Sequence, residues 1–234
     1  MEGETMKKVV LFVVLCLTVG LGLTTWKMFD FRDRLHLYLD NTRWEETLEA
    51  HGCYGNDIVF FGDSEIALWQ MCPSFGSMPI RNRGVSGAWA SKSWERYERE
   101  VLNRPPDAVV ILIGTNDRPL SSAVQPIEKM ITSAQAKGVD VHVCSLLPVR
   151  GEYVKSHPLE QMRRVNDSLR REAADHGATY IDLFSIMADD QGLMRSDYSD
   201  DGLHPNARGY AAMTRIVRPY LFEYPTRQRP TVHY

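Results

Sequence analysis

Three residues of this sequence have the types and spacing of a relay for nucleophilic attack. Ser64 ends the motif Gly62-Asp63-Ser64, and Asp201 precedes His204 by three residues in a later polar stretch. An aspartate at that spacing can accept the Nδ1–H of the histidine, which leaves Nε2 free to deprotonate a serine. Each residue also has an ordinary explanation, because serine often caps a helix and loop aspartates are usually solvated.

Two more positions offer hydrogen-bond donors to a developing oxyanion. Gly84 lacks a Cβ, so its backbone N–H can approach a ligand oxygen closely. Asn116 carries a side-chain amide that can donate as well. Together with the backbone N–H of Ser64, these groups would form an oxyanion hole. The alternatives are a simple turn glycine at Gly84 and an Asx-turn at Asn116.

The segments between these motifs alternate between two patterns. Short apolar runs predict strands at Asp57–Gly62, Pro79–Arg83, Ala108–Ile113, Val139–Leu146 and Ala178–Leu183. Longer amphipathic runs predict helices at Glu65–Met71, Ala88–Asn103, Ser122–Lys137, Leu159–His176 and Asn206–Leu221. Strands that alternate with helices predict an α/β fold, a three-layer α/β/α sandwich around a five-stranded parallel sheet with right-handed crossovers.

The polar motifs follow the first, second, third and fifth predicted strands, in that order. In a parallel sheet the carboxyl ends of the strands meet at one edge, where ligands bind. With these motifs the sequence resembles the SGNH hydrolase family, also called the GDSL esterases and lipases, which has a flavodoxin-like fold. The four residues that name the family match Ser64, Gly84, Asn116 and His204, and Asp201 matches its triad acid. The resemblance extends from about residue 57 to residue 220.

The resemblance implies a serine esterase that needs no metal or organic cofactor. Ser64 would attack an ester carbonyl and form an acyl-enzyme, with His204 as the base and Asp201 as its orienting partner. The expected substrates are short acyl esters, such as acetyl esters, of a glycan, a lipid or a small molecule. An O-acyltransferase that modifies a surface polysaccharide would use the same triad. A non-catalytic anchored binding module would be indicated by loss of a triad residue, and all three are present.

Several neighbouring residues have weaker interpretations. Glu65 directly follows the candidate nucleophile, where relatives often carry an apolar or small residue, and we expect its side chain to point outward. Ser86 is a rival nucleophile, but it has no better-placed base. Three tryptophans could stack on a substrate, although core packing is their commoner role: Trp69, Trp89 and Trp94. Three histidines are expected to be exposed loop residues: His51, His157 and His233.

The N-terminal part has a different composition from the rest. Lys7 and Lys8 precede an uncharged run of eighteen residues, 9–26, which is just long enough to span a membrane. We expect an uncleaved membrane anchor with the domain outside the cytoplasm, and the alternative is a cleaved signal segment and a secreted domain. The predicted organisation is a tail at 1–8, the anchor, a juxtamembrane helix and linker at 27–55, the hydrolase domain at 56–224 and a tail at 225–234.

Charge and cysteine content exclude several other classes of protein. The formal net charge is −3 and the signs are interspersed, so no nucleic-acid partner is expected. The four cysteines form no Cys-x-x-Cys motif, so neither a zinc site nor a thioredoxin-type centre is indicated. Cys53 and Cys72 could form a disulfide in an oxidising compartment, and Cys144 is interpreted as a small core residue. The sequence leaves the oligomeric state open.

Overall fold

A five-stranded parallel sheet forms the centre of the chain in the computed structural model, which describes residues 57–76 and 78–222. The strands are β1 (Ile58–Gly62), β2 (Ile80–Gly84), β3 (Ala108–Leu112), β4 (Asp140–Cys144) and β5 (Thr179–Ile181). They lie in the order β2-β1-β3-β4-β5, and every neighbouring pair is parallel. The predicted α/β fold is confirmed, although all strands except β2 are shorter than their predicted runs.

Apolar side chains cover both faces of the sheet, which explains why the strand sequences are continuously apolar. On β1, Val59 and Phe61 belong to one cluster of buried residues, whereas Ile58 and Phe60 belong to another. Because neighbouring side chains of a strand point to opposite faces, the two clusters lie on opposite sides of the sheet. Helices complete each cluster, so the architecture has three layers.

The helices of the described residues are seven α-helices and four shorter turns. The α-helices are α1 (Ser64–Ala67), α2 (Met71–Phe75), α3 (Trp94–Tyr97), α4 (Val124–Gln135), α5 (Leu159–Asp175), α6 (Phe184–Met187) and α7 (Ala207–Phe222). The turns are 3₁₀ at Ala90–Lys92, Leu120–Ala123 and Gly151–Lys155, and π-helical at Glu98–Leu102. Helix α4 shows the expected amphipathic spacing, because it buries Ile127, Met130, Ile131 and Ala134.

The predicted helix at Ala88–Asn103 is divided into a 3₁₀ turn, α3 and the π-helical turn. The carboxylate of Asp117, in the loop after β3, accepts the backbone N–H groups of Ala90 at 2.7 Å and Ser91 at 3.0 Å. This contact caps the first turn from outside and fixes it against the β3 loop. The chain therefore starts a separate short turn there, which local propensity could not indicate.

The predicted helix at Glu65–Met71 is also interrupted, since α1 ends at Ala67 and α2 begins at Met71. The side-chain amide of Asn82, on β2, donates to the carbonyl of Ile66 at 2.8 Å and to that of Trp69 at 3.1 Å. These carbonyls would otherwise accept bonds from the following helical turn. The neighbouring strand thus ends α1 early.

Several N- and C-terminal predictions lie outside the described residues. They concern the tail at 1–8, the anchor or signal segment at 9–26, the juxtamembrane helix and linker at 27–55 and the tail at 225–234. Cys53 also lies there, so its pairing with Cys72 stays a prediction. In the described parts, 57–76 and 78–222, no helix combines the length and apolar character that a membrane span requires.

Candidate active site

The structure joins three of the sequence-predicted residues by hydrogen bonds. Ser64 Oγ lies 3.1 Å from His204 Nε2, and His204 Nδ1 lies 2.7 Å from Asp201 Oδ2. Ser64 is the first residue of α1, directly beyond β1, whereas Asp201 and His204 belong to the loop before α7. Both distances are within the range of real hydrogen bonds. The three side chains can therefore pass a proton from the serine to the imidazole.

The carboxylate of Asp201 is held in place by its own loop. Oδ1 accepts the backbone N–H groups of Leu203 and His204, both at 2.8 Å, and the hydroxyl of Ser199 at 3.1 Å. Partial burial would raise the pKa of this carboxyl, but the hydrogen bonds from the His204 ring and from the two backbone N–H groups outweigh it and lower the pKa. Asp201 is therefore ionised at neutral pH and keeps the proton of His204 on Nδ1.

The loop that follows β4 contacts the loop that carries His204. The backbone N–H of Arg150, beyond β4, donates to the carbonyl of Gly202 at 2.7 Å. Gly202 has φ +84°, and a Cβ there would lie 2.8 Å from the Arg150 carbonyl oxygen. The side chain of Arg150 pairs with Asp189, which fixes the loop after β4 in turn. The position of His204 thus depends on residues that follow β4.

Ser64 is presented by a tight turn at the carboxyl end of β1. Gly62 permits the turn, because a Cβ there would lie 2.2 Å from the carbonyl oxygen of Leu112. The buried Asp63 then caps α1, accepting the N–H of Glu65 at 3.3 Å through Oδ1 and that of Gly114 at 3.3 Å through Oδ2. The cap links the turn after β1 to the turn after β3. Only 8% of Ser64 is exposed, so most of the residue is buried in this turn.

Glu65 does not point outward, so that prediction is wrong. The residue is 1% exposed, and its Oε2 accepts from Ser64 Oγ at 3.4 Å. The phenol of Tyr210, on α7, donates to the Glu65 carbonyl at 2.9 Å. This contact packs α7 over α1, so the Glu65 side chain is enclosed between α7 and the Ser64 site. Burial, followed by the charge of Glu65, raises the pKa of Asp63 well above its usual value.

Helix α7 makes a second hydrogen bond to the segment that begins at Ser64, here to Trp69. The indole Nε1 of Trp69 donates to Thr214 Oγ1 at 3.2 Å and to Ser74 Oγ at 3.2 Å. Trp69 is fully buried in the apolar cluster that includes Phe60 and Phe75, so its role is core packing. Trp89 and Trp94 are half-buried.

The predicted oxyanion donor Gly84 is already engaged. Its N–H donates to Asn82 Oδ1 at 2.9 Å. A Cβ at this position would lie 2.1 Å from the backbone nitrogen of Ala67 in α1. The close approach of α1 and β2 thus explains why residue 84 is a glycine. Its N–H cannot donate to an oxyanion while it is bonded to Asn82.

Asn116 lies beside a different glycine. Its Nδ2 donates to the carbonyl of Ala88 at 3.1 Å, which leaves the second amide hydrogen for another acceptor. Gly87, which precedes Ala88, is exposed with φ +76°. Its backbone N–H donates to no other backbone group of the described chain. The same is true of the N–H of Ser64. The sequence analysis named Gly84 and did not consider Gly87, although the second glycine of Gly84-Val85-Ser86-Gly87 is the signal that could have indicated it.

His157 is buried, so the prediction of an exposed loop histidine is wrong for it; His51 and His233 lie outside the described residues. Its Nδ1 lies 3.0 Å from the Tyr153 carbonyl, and its Nε2 lies 2.9 Å from a guanidinium nitrogen of Arg118. Burial is the main cause that lowers the pKa of His157, which fits a neutral ring that accepts from Arg118. Ser86, the rival nucleophile, is exposed.

One group in the described chain has the composition of a metal-ligand set. The Nε2 of His176 lies 3.6 Å from a Glu128 carboxylate oxygen and 3.8 Å from a Glu172 carboxylate oxygen. These residues belong to α4 and the end of α5. His176 precedes β5, whereas Ser64 follows β1, so the cluster lies at the opposite edge of the sheet and takes no part in the site.

Comparisons with known proteins agree with this geometry. A model of the GDSL-like lipase/acylhydrolase family matches residues 60–212. The chain is 27% identical over 173 residues to an N-acylneuraminate cytidylyltransferase of Escherichia coli, a match that covers 69% of this chain and 39% of that protein. It is 25% identical over 250 residues to an acetylxylan esterase of Xylanibacter ruminicola, covering 85% of this chain and 49% of that protein. The chain thus spans less than half of each of these curated relatives.

A solved structure shares the fold. A GDSL-like lipase from Bacteroides thetaiotaomicron superposes with a TM-score of 0.65 at 20% identity, covering 78% of this chain and 98% of that one. At this identity the likeness concerns the fold alone. The family model, in contrast, covers well over half of the sequence, including the turn after β1 and the loop before α7. The chain belongs to the GDSL-like lipase/acylhydrolase family.

Proposed function

We propose that this protein is a serine esterase that forms an acyl-enzyme on Ser64. The observation that carries the proposal is the 3.1 Å contact between Ser64 Oγ and His204 Nε2, with Asp201 bound to the other ring nitrogen. His204 takes the serine proton as Oγ attacks the ester carbonyl, and the resulting imidazolium is stabilised by the ionised Asp201. The imidazolium then donates its proton to the leaving alcohol.

The second half of the reaction uses the same residues in reverse. His204 removes a proton from a water molecule, the hydroxide attacks the acyl carbon, and Ser64 leaves with the proton that the ring returns. The oxyanion of each tetrahedral intermediate needs donors near Ser64. We propose the N–H of Ser64, the free amide hydrogen of Asn116 and the N–H of Gly87, and Gly84 as a donor only if its bond to Asn82 opens.

The proposed substrates are short acyl esters of a glycan. The support comes from two relatives, an acetylxylan esterase and an N-acylneuraminate cytidylyltransferase. Both names contain a sugar as the substrate. The small exposed fraction of Ser64 also favours a short acyl chain over a bulky one. An acetyl group on a sugar hydroxyl meets both conditions.

Labelling with a fluorophosphonate tests the nucleophile. We expect one covalent adduct on the wild-type protein and none on Ser64→Ala, whose kcat should fall by ~10⁴ or more. A series of p-nitrophenyl esters from acetate to decanoate then tests the acyl length, with the highest kcat/KM expected for acetate. Absence of labelling, with a folded protein, would indicate a non-catalytic module. Acetylated acceptor sugar among the products would indicate an O-acyltransferase instead.

We also propose that residues 9–26 tether the domain to a membrane, outside the cytoplasm, on the strength of their uncharged apolar composition. The full chain should sediment with membranes and be released by detergent, whereas a chain that starts at residue 27 should not. Recovery of the full chain, with this segment intact, in the soluble fraction would contradict the anchor.

A further inference from the structure

We propose that Glu65 makes the esterase selective for uncharged acyl groups, because its buried carboxylate places a negative charge beside the Ser64 hydroxyl. The inference rests on the proposed esterase function and specifies the substrate of the same site.

The first argument is the position of the carboxylate. Ser64 Oγ has two acceptors, His204 Nε2 at 3.1 Å and Glu65 Oε2 at 3.4 Å. Oγ is the atom that acquires the acyl group, so every acyl substituent is built outward from a point next to the Glu65 charge. A substituent a few bonds from the carbonyl then lies roughly 6–8 Å from the carboxylate, judged from ordinary bond lengths.

The second argument is burial. Glu65 is 1% exposed, so water does not surround its carboxylate and a substrate cannot displace it by direct contact. The charge therefore acts through a medium of low effective dielectric, where a unit charge is screened much less than in water. An acyl group with its own negative charge meets repulsion, and a neutral one does not.

The third argument is the surrounding charge. Burial raises the pKa of Asp63, which favours the neutral form of that carboxyl, whereas the hydrogen bonds to Asp201 lower its pKa and keep it as a second negative charge of the site. Within the described part of the chain no lysine or arginine forms an ion pair with Glu65. The guanidinium of Arg96 donates to the Gly62 carbonyl at 3.0 Å, and that of Arg118 donates to the Thr115 carbonyl at 2.9 Å. The negative charge at Glu65 is thus not neutralised by a direct partner.

The expected size of the effect follows from Coulomb's law. Two unit charges about 7 Å apart, at an effective dielectric constant of 20–40, give a rate difference of roughly ten- to fifty-fold. Matched substrates are the 1-naphthyl esters of monomethyl succinate, with a neutral acyl group, and of succinate, with an anionic one of nearly the same length. Rates are corrected for spontaneous hydrolysis, and the quantity measured is the ratio of the two kcat/KM values.

We expect the wild-type protein to prefer the neutral ester by that factor. Glu65→Gln should lower the ratio at least fivefold, and Glu65→Ala should do the same, whereas Glu65→Asp, which keeps the charge, should retain most of it. A matched control is Glu160→Gln on α5, whose carboxylate is 69% exposed and which also removes one negative charge. It should leave the ratio unchanged. A purely structural role for Glu65 would slow both esters alike and leave the ratio as it was.

A wild-type ratio near one overturns the inference, as does an unchanged ratio in a folded Glu65→Gln or Glu65→Ala variant. The wild-type measurement alone keeps the test decisive if neither variant folds. Failure of the esterase proposal gives a different result, namely no turnover of either ester and no fluorophosphonate adduct.

Discussion

Gly84 of β2 lies so close to Ala67 of α1 that a Cβ at residue 84 would meet the Ala67 backbone nitrogen at 2.1 Å. Because a backbone atom cannot be moved aside as a flexible side chain can, helix and strand would have to separate. The turn that presents Ser64 joins β1 to α1, so it would move with the helix. Gly84 therefore fixes the spacing on which the nucleophile depends.

Gly84→Ala is expected to destabilise the protein by ~3 kcal/mol or more, through overpacking. The measurement is the free energy of unfolding in urea. A matched control is Gly138→Ala, at φ +75° with open space around the site, which should cost only ~1–2 kcal/mol of left-handed backbone strain. If the two variants were equally stable, the close contact between β2 and α1 would not be what requires a glycine at 84.

Asp201→Asn should preserve the fold but lower kcat for p-nitrophenyl acetate by ~10⁴, as expected for a triad whose histidine takes the wrong tautomer. The amide cannot keep the His204 proton on Nδ1, so Nε2 no longer accepts from Ser64. Asp200→Asn is the control, because Asp200 is exposed and bonds to Asn206 rather than to the histidine. A comparable loss in both variants would show that charge in the loop matters, and not the bond to His204.

Asn116→Ala should lower kcat by ~10²–10³ with little change in KM, since an oxyanion donor acts mainly in the transition state. Asn82→Ala is an informative comparison, because it frees the N–H of Gly84 while removing the bonds to Ile66 and Trp69. We expect Asn82→Ala to lower the free energy of unfolding while kcat changes little. If kcat fell in Asn82→Ala but not in Asn116→Ala, the Asn116 amide would not be an oxyanion donor.

The stability of the fold should decrease in acid because of His142 on β4. Burial is the main cause that lowers the pKa of this residue from 6.5 to about 4. The unfolded chain therefore binds a proton below pH 6.5 that the folded chain refuses until about pH 4, so stability is complete above pH 6.5 and falls across this window. The expected loss is ~3 kcal/mol in the free energy of unfolding. His142→Leu should remove this part of the pH dependence, whatever its stability at pH 7.

The contacts of Ser64, Asp201 and His204 could be anticipated because they depend on strand order and on local spacing. Asp201 and His204 are three residues apart, a distance that a single loop bridges, and a parallel sheet brings the end of β1 to the same edge. Such features are local or follow from the general rules of α/β folds. The five strands were identified for the same reason, since burial on both faces leaves continuous apolar runs.

The sequence-based predictions that failed depend on long-range contacts. Glu65 is enclosed because Tyr210, 145 residues later, packs against its backbone, and nothing near Glu65 in the sequence indicates this. The role of Gly84 as an oxyanion donor stays a prediction, but its environment is likewise set by residues that its own segment does not indicate, Ala67 and Asn82. The first turn of the predicted helix at Ala88–Asn103 is held by Asp117 from another loop. In each case a side chain from a distant segment overrides local propensity.

Helix α7 binds the nucleophile segment through Tyr210 and Thr214, and it directly follows the loop that carries His204. During synthesis His204 and α7 therefore leave the ribosome only after all five strands of the sheet. A nascent chain that ends before His204 would contain Ser64 but no base to activate it. The residues of the site can therefore meet only after every strand of the sheet has been synthesised.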